Sequence, residues 1–106
     1  MDKIKIIKEL KELLIKHFPN EIDKVILFGS QVNGDAREYS DYDVLIVLNR
    51  NYYDWRYERK ILKVVYKNDL KFHILTDFTL ISNKELTTLK GKQPVVLEAF
   101  ENGIEI

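Results

Sequence analysis

The stretch that most constrains this chain runs from Val25 to Leu48. An apolar run, Val25-Ile26-Leu27-Phe28, breaks at Gly29-Ser30. Ten residues follow, and a second apolar run, Val44 to Leu48, is headed by Asp41 and Asp43. Apolar runs bounded by turn residues read as buried strands. Gly29 and Ser30 therefore lie where one strand ends, and Asp41 and Asp43 where the next begins. Residues two apart on a strand share a face, so the two carboxylates project together beside the Gly-Ser turn. A hard divalent cation takes carboxylate oxygens together with phosphate oxygens and water. Glycine lets backbone approach a phosphate closely, and a serine opening a helical turn offers it N–H and hydroxyl groups.

The remaining chain supplies elements to carry this stretch. Asp2 to His17 places Ile6, Ile7, Leu10, Leu13 and Leu14 at helical spacing, with Asp2 as N-cap and Pro19-Asn20 as stop. The first strand is predicted over Lys24 to Phe28 and the second from about Tyr42 to Leu48. Gly29 to Tyr39 reads as a loop with room for one helical turn after Ser30. Asp54 caps a second helix reaching about Tyr66, with Trp55, Ile61, Leu62 and Val65 on its buried side and Asn68-Asp69 ending it.

Lys71 to Ser82 reads as a long β run. Phe72, Ile74, Thr76, Phe78 and Leu80 share one face; His73, Leu75, Asp77, Thr79 and Ile81 share the other. Ser82-Asn83-Lys84-Glu85 is a capping box opening a short helix that Gly91 closes, and Pro94 to Asn102 forms the last helix. The order α-β-β-α-β-α-α predicts a mixed α/β fold, one domain over residues 1–106 with a sheet of at least three strands.

Asp77 is the favoured third carboxylate, because a charge in so apolar a run is costly to bury without a cation. A shifted register would put His73 in that place instead. Arg37 reads either as a contact to a triphosphate or as a solvated loop charge. Arg56, Arg59 and Lys60 make a basic helical stripe, and Tyr52, Tyr53, Trp55 and Tyr57 an aromatic patch.

Lys+Arg and Asp+Glu both number 17, which disfavours wrapping a long nucleic acid. No cysteine is present, excluding disulfides and thiolate metal sites. No apolar run reaches membrane-spanning length, and a cytoplasmic location is expected.

Gly29-Ser30, ten residues, then Asp41-x-Asp43 resembles the signature of the DNA polymerase β-like nucleotidyltransferases. With Gly34, Ala36-Arg37 and Ser40 the match looks like the minimal nucleotidyltransferase (MNT) group. Val32 and Tyr42 are mild departures, standing where many members have Ala and where Ile or Leu is usual.

The resemblance implies the polymerase β-like fold and transfer of AMP from ATP to a hydroxyl. Asp41, Asp43 and Asp77 would hold Mg²⁺ (two ions), and Gly29 and Ser30 would grip the phosphates. It further implies pairing with a HEPN-domain toxin, whose tyrosine would be the acceptor. A binding module without turnover, or a stand-alone small-molecule nucleotidyltransferase, is the alternative reading.

Overall fold

A computed structural model describes residues 2–34 and 41–106 of the chain. Arg37, with Ala36 and Ser40 of the motif, lies outside the described residues.

Three strands come from apolar runs: β1 (Ile22–Phe28), β2 (Tyr42–Leu48) and β3 (Thr76–Ser82). A fourth, β4 (Ile104–Glu105), went unforeseen because two residues carry no period. The sheet order is β3-β2-β1-β4. β1 runs antiparallel to both β2 and β4, while β2 and β3 are parallel.

Helices cover both faces, which is why the middle of β2 is apolar at every position. Against one face pack α1 (Lys3–His17) and α3 (Trp55–Phe72), burying Ile7, Leu10, Leu14, Ile61 and Val65 on Val25, Leu27, Val44 and Ile46. Against the other packs α4 (Pro94–Asn102), burying Val96 and Ala99 on Ile26, Phe28, Leu45, Val47 and Ile81. A four-residue helix, α2 (Ser30–Asn33), follows β1, and two 3₁₀ turns, Asn83–Thr87 and Leu89–Lys92, link β3 to α4.

The bounds expected for β2 and α4 agree with the structure, as does the cap at Asp2, whose carboxylate accepts from the Ile4 and Lys5 amides. The capping box of Ser82 and Glu85 is present in both directions.

α3 differs from expectation. It continues through Asn68 and Asp69 to Phe72 and is closed by His73 in the left-handed region (φ 55°). Asn68 and Asp69 fail to stop it because both are buried and satisfied by tertiary partners. The Asn68 amide donates to the Ile6 carbonyl at 3.3 Å, and Asp69 accepts from Thr76. The β run therefore starts at Thr76 rather than Lys71, and His73 is an exposed helix cap rather than a strand residue.

The buried face of α3 is also rotated. Tyr57 and Val64 are inside, whereas Trp55 and Leu62 are 63% and 51% exposed. Tyr57 meets Phe18 at 5.3 Å between ring centroids and lies beneath the Arg50 guanidinium.

Candidate functional site

β1 delivers Gly29 to one end of the sheet with φ 75°, a backbone region costly for any residue with a Cβ. Its carbonyl accepts from the Val32 and Asn33 amides, so the chain turns directly into α2, with Ser30 as first residue. A Cβ at position 29 would collide with Asp43 Oδ2 and lie 3.1 Å from the Asp43 carboxyl carbon. The glycine therefore makes room for a carboxylate as well as for a turn.

Asp43 is the second residue of β2, opposite Phe28 of β1 on one side and Asp77 of β3 on the other. Its alternation with Val44 aims it to the α4 side of the sheet, the side also taken by Leu45 and Val47. Asp77 shares that face by the same alternation, one residue after the buried Thr76. Asp41, exposed, stands just before β2 begins. Asp77 and not His73 thus forms the cross-strand pair with Asp43.

The electrostatics reflect this crowding. Burial pushes the Asp43 carboxyl above its ordinary value, and the charges of Asp77, Asp41 and Glu98 push it further in the same direction. Four carboxylates sharing one end of a sheet is a repulsive arrangement that a cation relieves. Among the described residues, no group of three His, Asp or Glu side chains is placed to hold a metal ion. A cation at the Asp43–Asp77 pair would draw most of its shell from phosphate oxygens and water, the habit of magnesium. The donor set, all oxygen and no sulfur, suits that ion.

Beside Gly29 lies a hollow of about 370 Å³ lined by Gly29, Val32, Asn33, Glu98 and Asn102. It is large enough for part of a small ligand. Glu98 and Asn102 were not singled out from the sequence; their separation of four puts them on one face of α4, the only signal they carry.

Asp69 was also missed. Buried at the end of α3, its Oδ1 accepts the Thr76 hydroxyl at 2.6 Å and its Oδ2 the Thr76 amide at 3.0 Å. Asp69 thereby ties the end of α3 to the first residue of β3 and fixes where Asp77 begins. Burial raises the Asp69 carboxyl, opposed by the two Thr76 bonds and reinforced by the charge of Asp41.

Comparison with known proteins agrees with this architecture. A family model described as "Nucleotidyltransferase domain" matches residues 4–102. A provisionally named protein adenylyltransferase of Methanocaldococcus jannaschii is 40% identical over 75 residues, covering 71% of this chain and 75% of the relative. A second such protein of that organism is 47% identical over 47 residues, so this chain spans only 47% of its length.

Among solved structures, spectinomycin adenyltransferase AAD(9) of Enterococcus faecialis, with ATP and spectinomycin, superposes with a TM-score of 0.60 at 20% identity. That match covers 82% of this chain and 37% of the larger enzyme. A toxin–antitoxin with AMP-PNP gives a TM-score of 0.60 at 17% identity, covering 92% of this chain and 69% of that one. A mutant of the toxin–antitoxin MntA-HpeT gives 0.59 at 18%, covering 99% and 72%. At these identities the likeness to solved structures is one of fold. The family match and the 40% identical relative carry the assignment: the chain belongs to the nucleotidyltransferase domain family and is an enzyme of that type.

Proposed function

We propose that this protein transfers AMP from ATP to a hydroxyl on another protein, a tyrosine of a HEPN-domain toxin, and so acts as the antitoxin of the pair. The observation that carries this reading is the in-register pairing of Asp43 with Asp77, beside the Gly29 turn whose missing Cβ leaves space for the Asp43 carboxylate. That pairing favours turnover over a module that only binds. The names of the relatives, and the ATP and AMP-PNP of the structural neighbours, point to an adenine nucleotide as donor. We assign the whole of 1–106 to one cytoplasmic domain.

Gly29 and Ser30 hold the β- and γ-phosphates, and Arg37 is the candidate cation for the triphosphate. Asp41, Asp43 and Asp77 would hold the Mg²⁺ ions. When bound, magnesium neutralises charge developing on the transferring phosphoryl group and lowers the pKa of an attacking hydroxyl. The acceptor oxygen attacks the α-phosphorus, the bond from that phosphorus to the α–β bridging oxygen breaks, and pyrophosphate leaves. Asp77, at the exposed end of β3, faces the acceptor side and takes the hydroxyl proton as the oxygen bonds to phosphorus.

The test is incubation with ATP, Mg²⁺ and the product of the neighbouring gene, read by intact mass and peptide mapping. An AMP increment on a tyrosine is expected, absent in Asp41→Ala/Asp43→Ala. No increment with the wild-type protein, or the same increment with the variant, would sink the reading.

A further inference from the structure

The outer face of α3 has a composition that the site does not account for. Trp55, Leu62, Tyr66 and Leu70 are 63%, 51%, 59% and 58% exposed. Their spacing of seven, four and four aligns them in one stripe along the helix, away from the core-facing Ile61 and Val65. Eighteen residues make that helix about 27 Å long.

Beside the stripe runs a row of cations. α3 carries six basic residues and two acidic ones, of which Asp69 is buried, in a chain whose formal net charge is zero. Lys60, Lys63 and Lys67 line a hollow with His17 and Phe18 and form no ion pair among the described residues. An apolar ridge flanked by uncompensated lysines fits a partner helix of opposite pattern, leucine-like on one side and acidic beside it. Nucleic acid fits less well, because Leu62 separates the two stacking planes, Trp55 and Tyr66, and Leu70 adds none.

The ridge also leads to the acid cluster. α3 ends at Phe72, Leu75 is 62% exposed, and Asp77 follows two residues later. The Asp69–Thr76 bonds pin the two elements together at that point.

We infer that the outer face of α3 docks an acidic amphipathic helix of the protein that receives the nucleotide. The identity of that partner as acceptor rests on the function proposed above; the docking itself does not.

Trp55 is the only tryptophan of the chain and lies on the ridge, so its emission reports occupancy directly. The full chain is titrated with two synthetic amphipathic helical peptides carrying the same leucine stripe, one flanked by Glu and the other by Lys. The Glu peptide is expected to shift Trp55 emission to the blue and to bind roughly tenfold or more tighter than the Lys peptide. Lys60→Glu/Lys63→Glu/Lys67→Glu should reverse that preference, and Leu62→Glu/Leu70→Glu should abolish binding of both peptides.

Equal affinity for the two peptides, or no emission shift, overturns the inference. So does tighter binding of a mixed-sequence single-stranded RNA, or a concentration-dependent shift without peptide that marks self-association. Asp41→Ala/Asp43→Ala should dock the Glu peptide like wild type. Docking with no AMP on any acceptor would therefore remove the transfer reading and leave this surface standing.

Discussion

Gly29 and Asp69 each control a carboxylate that is not their own. At Gly29 two penalties coincide, a positive φ and a collision of any Cβ with the Asp43 carboxylate. Gly29→Ala should keep the far-ultraviolet circular dichroism of the wild type. AMP transfer should nonetheless fall by about 10²-fold or more, since displacing a site group by an ångström costs on that order. Transfer at the wild-type rate would show that Asp43 is free to move.

At Asp69 the stake is the start of β3. Asp69→Ala leaves the buried Thr76 amide and hydroxyl without their acceptor, a loss of about 2–4 kcal/mol by the cost of stranding buried polar groups. Asp69→Asn, which keeps one accepting oxygen, should lose less. Denaturant unfolding of the two variants measures both, and equal stabilities for Ala and Asn would contradict the assignment. Neither role could be read locally. The Gly29–Asp43 approach joins residues fourteen apart in sequence, and Asp69 resembled a helix stop until Thr76 was placed against it.

β3 is an element clamped at both ends, by Asp69 at Thr76 and by the reciprocal bonds between Ser82 and Glu85 at its exit. Ser82→Ala should cost about 1 kcal/mol, the usual worth of such a cap, visible as a lower denaturation midpoint. Elements that bury a periodic face within their own span were legible: α1, β2 and α4 follow from apolar spacing and local caps. The end of α3 was not, because Asn68 finds its partner at Ile6, 62 residues away, and no local pattern reports that. Nor could spacing tell which aromatics of Tyr52, Tyr53, Trp55 and Tyr57 go inside. Tyr57 does so against Phe18, a contact across two elements, whereas Tyr53 stays half-buried and donates its hydroxyl to the Leu80 carbonyl. For the site, the fixed Gly29–Asp43 spacing was informative because a hairpin joins its ends. Asp77 needed the true length of α3 to settle its register against His73, and Glu98 needed the packing of α4.

Across the whole molecule the zero net charge conceals a separation, with cations gathered on α3 and carboxylates at the Gly29 end of the sheet. That separation sets how stability responds to pH and to metal. Asp43 and Asp69 both have carboxyls raised above the ordinary aspartate value by burial and by neighbouring carboxylates. A raised value in the folded state means that the folded protein holds these protons more tightly than the unfolded chain does. The contribution of these two groups is therefore fully present below the ordinary carboxylate range and is lost as pH rises from that range through the raised values. Acidic residues lowered by partners, Asp54 and Glu85, act in the opposite sense as pH falls. Asp43→Asn removes one repulsive charge without changing shape. It should melt higher than wild type at pH 7 and match it once both carboxyls are protonated. Magnesium with ATP should raise the melting temperature of the wild-type protein by binding the folded form alone, and should raise that of Asp43→Asn far less. If Asp43→Asn melted no higher than wild type at pH 7, the crowding of carboxylates around Asp43 would not be the repulsive arrangement that gives a cation its place here.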